Sequence, residues 1–433
     1  MQEGRRLKTM GEQFFKISER ILTQSEQALA RCRESFERID RITEYNQQKM
    51  LAAFIGNGVS ESHFAASTGY GYGDRGRETL DRVLAQVFGA EDALIRHNFT
   101  CGTHTLAVAL FGVLRPGDTM LCVTGTPYDT IRPVIGITGE PGNGSLKDFG
   151  IRYRQVELTP EGRVDLPAVG RALREDPSIR MVYIQRSRGY SLRPSLSPQE
   201  IGEIAAVVRQ NSSAVVMVDN CYGEFVCEKE PTQYGADLIA GSLIKNPGGG
   251  IAPTGGYIAG RHDLIELCAQ RLTTPGIGKE VGATLNHNRE LFMGLFNAPH
   301  VTGEALKAAV FTAALFEGLG YGVTPCQNEE RYDIIQSVLL ENEPSLIAFC
   351  QGMQKGAPVD AFVSPEPWDM PGYDSQVIMS AGAFTLGASI ELSADAPLRE
   401  PYAAWMQGGL NFHSAKVGVM LAAQEMENRG LLK

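Results

Sequence analysis

An α/β architecture, built on a mostly parallel sheet with helices on both faces, is what this sequence predicts. Three observations carry it. Short runs rich in Val and Ile recur between residues 93 and 259 without the alternation of a half-exposed strand, as expected of strands buried on both faces. Segments of helical period separate these runs, and Gly or Pro punctuates the joints. Two runs end in charged residues, Asp219 and Lys245, and parallel sheets bind ligands beyond the carboxyl ends of their strands.

In chain order, residues 11–55 place Phe14, Ile17, Ile21, Leu29, Phe36, Ile39 and Ile42 at helix-like spacing. They read as one or two amphipathic helices that pack on the body or on a partner subunit. Gly56-Asn-Gly-Val-Ser60 breaks that pattern, and Gly69-Tyr-Gly-Tyr-Gly73 follows. A helix over 77–88 ends at Gly89, a strand follows at 93–96, and a helix over 103–114 closes at Arg115-Pro-Gly-Asp118. Further strands are predicted at 119–123, 151–158, 180–185, 214–219, 237–245 and 256–259, with helices near 166–173 and 198–210. Beyond residue 301 come a helix over 303–319, an irregular loop over 364–373, a strand over 388–392 and a closing helix over 414–428. A chain of 433 residues exceeds one small core. It divides into an N-terminal helical segment (1–60), a large domain (61–300) and a smaller α/β domain (301–433).

Composition excludes several classes. The formal charge is −10 and no basic block stands out, which argues against a nucleic-acid partner. No window approaches 18 uninterrupted apolar residues, so no membrane span is expected. Residues 1–10 lack an apolar signal core. The eight cysteines are scattered, without Cys-x-x-Cys or a Cys/His grouping. They read as free thiols in a reducing cytoplasm, with no metal centre and no disulfide framework.

The chemistry concentrates in Gly241-Ser-Leu-Ile-Lys245-Asn-Pro-Gly-Gly-Gly250. One lysine ends an apolar run, a serine stands three residues before it and glycines follow. Asp219 closes the upstream run Ala214-Val-Val-Met-Val-Asp219. An acid at one strand end and a lysine at another is how pyridoxal 5′-phosphate (PLP) is held: the lysine forms a Schiff base, and the acid pairs with the pyridine nitrogen. A closed site lowers the lysine pKa by desolvation and frees its amine for attack and for general acid–base work. Cys101-Gly102-Thr103-His104 offers a glycine, a hydroxyl and helix-start N–H groups for a phosphate, and Ser242 adds a second hydroxyl. Two other motifs compete. Gly71-Tyr-Gly73-Asp-Arg-Gly76 matches G-x-G-x-x-G but lacks a preceding strand, and Ser242-Leu-Ile-Lys245 matches S-x-x-K without the companion motifs S-D-N and K-T-G.

At these residues the chain resembles the fold type I PLP-dependent enzymes. It is most similar to the methionine γ-lyase-like or cystathionine β-lyase-like family, also called the aluminium-resistance protein family. The resemblance spans nearly the whole chain and is carried by the segments 69–77, 101–104, 184–190, 218–225, 242–250 and 390–395. It implies a mostly parallel seven-stranded sheet with helices on both faces and a smaller α/β C-terminal domain. It implies Lys245 as the Schiff-base lysine and Asp219 as the pyridinium partner, with Cys101, Gly102, Thr103 and Ser242 around the phosphate. Tyr128 falls where an aromatic ring stacks on the cofactor and assists proton transfer. Tyr72, with Arg75 or Arg77, falls where related lyases reach a neighbour's phosphate. The active unit is then a homo-oligomer, a dimer or a dimer of dimers. The sequence departs from the better-known lyases at Ile244, at Cys101 and in Ala388-Ser-Ile-Glu-Leu392, which lacks the arginine that clamps a substrate carboxylate. Arg399, Arg186 or Arg188 is left to supply that fork. The expected activity is carbon–sulfur bond cleavage in a sulfur-containing amino acid, giving a 2-oxo acid, ammonia and a thiol. The alternatives are an aminotransferase, a PLP-binding protein with little turnover, or a Rossmann-type dehydrogenase.

Overall fold

The computed structural model describes residues 14–370 and 375–433. Residues 1–13, and residues 371–374 of the expected 364–373 loop, lie outside the described residues. The amphipathic segment folds as a single helix, α1 (Glu19–Gly56), capped by the Ser18 hydroxyl. Its apolar face, including Ile21, Ala28, Cys32 and Ile39, is buried against α7 (Asn288–Gly318). Phe14 precedes α1 and is exposed.

Next come α2 (Arg75–Phe88), β1 (Asp92–Arg96), α3 (Gly102–Val113), β2 (Thr119–Cys122) and β3 (Arg152–Gln155). They are followed by α4 (Leu166–Glu175), β4 (Ile179–Gln185), α5 (Pro198–Asn211), β5 (Val215–Asp219), β6 (Leu238–Ser242), β7 (Gly256–Gly260) and α6 (His262–Leu272). The seven strands form one sheet in the order β1-β7-β6-β5-β4-β2-β3. Pairing is parallel from β3 through β6, and only β7 runs against its neighbours. The expected doubly covered, mostly parallel sheet is present. Apolar clusters fill both of its faces, one including Val182, Val216 and Ile239, the other Met181, Met217 and Ala240. Because successive strand residues point to opposite faces, each strand feeds both layers.

The second sheet holds β8 (Gly322–Thr324), β9 (Gln336–Leu339), β10 (Val377–Ser380), β11 (Ser393–Pro397) and β12 (Ala403–Gln407). Its order is β10-β11-β12-β9-β8, antiparallel throughout. Helices α8 (Glu343–Gln354) and α9 (Phe412–Asn428) complete this layer.

Three expected elements are corrected. The helix placed at 303–319 starts at Asn288 and carries Pro299 inside it. Pro299 costs a backbone hydrogen bond, but Leu291, Phe292, Leu295 and Ala298 bury the preceding turns and keep the helix running. The strand placed at 237–245 ends at Ser242, so Lys245 stands in the turn beyond it. The strand placed at 388–392 is irregular, because its backbone is committed elsewhere: Ile390 donates to Ile244 O, and Ala388 O accepts from Lys245 and Tyr222.

The glycines after Lys245 serve close packing. A Cβ on Gly248 would lie 1.7 Å from Leu243 O, and one on Gly294 of α7 would lie 2.4 Å from Gly248 O. The turn that carries Lys245 is thus pressed against α7 with no room for a methyl group. Gly248→Ala is expected to cost at least about 1–3 kcal/mol, read as a lower urea midpoint with an unchanged slope, and Gly294→Ala is expected to behave alike.

Candidate active site

The carboxyl ends of β4, β5 and β6 bring Gln185, Asp219 and Ser242 to the rim of one cleft of about 350 Å³. The start of α3 forms one wall, and the second sheet closes the far side with Asp395 of β11 and with Trp405 and Gln407 of β12. Lys245 projects into this space. Its Nζ donates to Ala388 O at 3.0 Å and lies 3.5 Å from the centre of the Tyr222 ring. Tyr222 takes a left-handed backbone conformation (φ 70°), costly for a non-glycine residue. Its hydroxyl donates to the same Ala388 carbonyl at 3.2 Å.

Burial sets the electrostatics. It lowers the Lys245 amine below the ordinary lysine range, and the neighbouring Cys221, Asp395, Glu224 and Asp219 side chains pull it back only in part. Burial raises Asp219 above the usual carboxylate range, opposed by the Cys221 N–H, Lys245 and the Tyr183 hydroxyl. Cys221 N donates to Asp219 Oδ1 at 3.1 Å, and Tyr183 donates to Oδ2 at 3.4 Å. Desolvation therefore moves the pair toward neutrality, the reverse of what a surface ion pair does.

The residues expected around a phosphate, Cys101, Gly102, Thr103 and Ser242, come together at the same cleft. Cys101 caps α3 through its sulfur, with Gly102 and Thr103 opening the helix. A Cβ on Gly102 would touch Ser242 Cβ at 3.4 Å and Cys221 Sγ at 3.7 Å, so the helix start and the end of β6 sit side by side. Thr103 Oγ1 pairs with Thr130 Oγ1 at 2.7 Å. Tyr128 lines the cleft, its N–H donating to Gln185 Oε1 at 2.8 Å and its ring 5.6 Å from that of Tyr190.

The expected arginines fall elsewhere. Arg186 is fully buried and donates to Asn220 Oδ1, Gly223 O and Glu230 Oε2, so it fastens the loop after β5 and is not available to a substrate. Arg188 donates to Thr324 O and Oγ1 and, with exposed Arg399, lines an adjoining cavity that shares Tyr128, Gln185, Gly189 and Tyr190 with this cleft. Arg77 is buried, its Nη1 on Gly71 O and Gly282 O, where it holds the Gly69–Gly73 turn in place. Arg75 and Tyr72 are exposed, Tyr72 stacked on Tyr70 at 5.4 Å and away from the cleft of its own chain. The G-x-G-x-x-G stretch follows a short 3₁₀ turn (Glu61–Phe64) and a loop, not a strand.

Sequence reasoning gave no role to Tyr222, Asp395, Trp405 or Gln407. Burial pushes the Asp395 carboxyl up to about 6, opposed by the Tyr190 hydroxyl and Lys245. A buried acid in an apolar run (Ala394-Asp-Ala396) is the one signal that pointed to it.

The family model for methionine gamma-lyase matches residues 21–427. The chain belongs to the methionine gamma-lyase family. It is an enzyme of that PLP-dependent lyase family. The chain is 49% identical over 397 residues to the uncharacterized protein YnbB of Bacillus subtilis (strain 168), covering 92% of this chain and 94% of that protein. It superposes with TM-score 0.92 on a carbon-sulfur lyase involved in aluminum resistance from Clostridium novyi NT, at 52% identity over 95% of this chain and 97% of the other. The PLP-dependent protein YhfS from Escherichia coli shares the fold at TM-score 0.62 and 16% identity, over 90% of this chain and 97% of the other. Among the described residues no helix is long and apolar enough to cross a membrane. All eight cysteines are free thiols.

The buried amine gives a direct check. In the cofactor-free chain, competitive acetylation across pH is expected to titrate Lys245 below the exposed lysines. Asp395→Asn removes a charge that favours the ammonium, so it should move that midpoint lower still.

Proposed function

We propose that this enzyme is a PLP-dependent carbon–sulfur lyase acting on a sulfur-containing amino acid by methionine γ-lyase or cystathionine β-lyase type elimination. The observation that carries this reading is the placement of Lys245 and Asp219 in one buried cleft beside the start of α3. The donors suit the cofactor. Lys245 Nζ would be the attachment point, and Asp219 would pair with the ring nitrogen. Gly102, Thr103, Ser242 and the Cys101 turn receive the phosphate with help from the α3 dipole. When bound, PLP supplies an electron sink for charge at the substrate Cα.

The protein residues do the rest. Desolvation lowers the Lys245 pKa and leaves its amine unprotonated, free to move the Cα proton. Asp219, anchored by Cys221 N–H and Tyr183, keeps a proton on the ring nitrogen through a charge-assisted hydrogen bond. Tyr128 covers the opening beside Gln185 and assists at the leaving sulfur. Tyr222 and Ala388 O fix the Lys245 side chain from below. Exposed Tyr72 and Arg75 serve a neighbour's phosphate in a dimer or dimer of dimers, with buried Arg77 holding their turn. A cofactor-binding body (61–300), a smaller lobe (301–433) and a cytoplasmic setting, consistent with free thiols, belong to the same reading.

Incubating the purified enzyme with methionine, homocysteine and cystathionine is expected to release thiol and 2-oxo acid together with no amino acceptor present. An acceptor requirement would mean transamination instead, and no product from any of them would mean a binding protein. Lys245→Ala is expected to abolish turnover, and Asp219→Asn to lower kcat by about 10²–10⁴-fold while the chain stays folded.

A further inference from the structure

The segment Ala388-Ser-Ile-Glu-Leu392 carries no arginine, and no arginine is among the described residues that line the cleft. Glu391 is itself occupied, accepting from the N–H groups of Phe384 and Thr385. Arg188 and Arg399 line only the adjoining cavity, so donors on the wall of the cleft itself are other groups. The second sheet presents them in a group. Ser393 stands opposite Gln407 and Asp395 opposite Trp405 across β11 and β12. Residues two apart on a strand share a face, so all four point the same way. Each is at least nine-tenths buried, and each has a polar atom with no hydrogen-bond partner: Ser393 Oγ, Asp395 Oδ1, Trp405 Nε1 and Gln407 Nε2. Four such atoms on one patch cost several kcal/mol unless a ligand satisfies them (about 1–3 each). Asp395, Trp405 and Gln407 line the cleft that holds Lys245.

We infer that Asp395, Trp405 and Gln407 of this cross-strand group are the receptor for the amino-acid head of the incoming substrate. Its carboxylate is held by Trp405 Nε1–H and Gln407 Nε2–H, and its ammonium by Asp395 Oδ1. The inference rests on the amino-acid substrate of the proposed function and adds what grips it. The donor count matches: two fixed N–H groups for two carboxylate oxygens, and one open carboxylate oxygen for the ammonium. Tyr190 donates to Asp395 Oδ2 at 3.1 Å, which fixes the carboxyl and leaves Oδ1 toward the ligand. The Tyr190 ring lies 5.4 Å from that of Trp405 and locks the indole in turn. Lys245, Tyr190 and Cys350 are the titratable groups whose charges or bonds bear on Asp395. A neutral fork of this kind binds a carboxylate without the charge an arginine would add. A zwitterion, carrying no net charge, is the form it suits.

Calorimetry on the full holoenzyme tests this with L-alanine, L-alaninamide and propionate. L-alanine has neither a γ-carbon nor a leaving group on its β-carbon, so it cannot undergo elimination. The wild type is expected to bind L-alanine about tenfold or more tighter than L-alaninamide. Trp405→Phe and Gln407→Leu are expected to bring that preference to near unity. Asp395→Asn is expected to weaken L-alanine but to leave propionate, which lacks the ammonium, equal or tighter. That opposite sign cannot come from general damage to the fold, and an unchanged melting curve checks each variant. Equal binding of L-alanine and L-alaninamide by the wild type, or variants that keep its preference, overturns the inference. Loss of the cofactor absorbance band on Lys245→Ala is scored separately. Its absence in the wild type would count against the lyase reading alone, because calorimetry still reads the head-group preference.

Discussion

Taking an amine and a carboxylate out of water and into the same cleft is the constraint on which the rest of this structure depends. Isolated, each buried charge would cost several kcal/mol (effective penalties of that order persist even after relaxation). Here burial raises Asp219 and lowers Lys245, while the Cys221 N–H, Tyr183, Tyr222 and Ala388 O hold both in position. The fold supplies that arrangement from two directions. Parallel strands deliver Asp219 and Ser242 at one edge, and a glycine turn pressed on α7 delivers Lys245 just beyond it.

The two sheets divide the work. The first supplies an acid, hydroxyls and a helix start, all at ends of elements, where loops leave backbone N–H groups available. The second supplies a flat face with buried polar groups left open, an unusual thing for an antiparallel sheet to keep. Between them run Tyr190 and the 388–390 segment, hydrogen-bonded to both layers.

Much of the first layer was legible in the sequence, because buried parallel strands announce themselves as unbroken Val and Ile runs and their ends as Asp219 and Ser242. Lys245 is legible as chemistry but reads as the end of a strand, since the apolar run continues through Leu243 and Ile244 after strand pairing stops. Helix α7 starts well before the expected 303, at Asn288, and runs through Pro299 because tertiary burial overrides that local stop signal. The place of Arg186 was not legible because a guanidinium's partner depends on long-range packing, and it finds Glu230 across a loop. Asp395, Trp405 and Gln407 meet only through the register of an antiparallel pair, which local sequence does not encode.

The most direct test of the central claim is to reduce the enzyme, as purified with PLP, with borohydride and then map its peptides by mass spectrometry. The account predicts one pyridoxyl-modified peptide, the one containing Lys245, lost on Lys245→Ala. Trapping on another lysine, or none with a full complement of bound PLP, would contradict it.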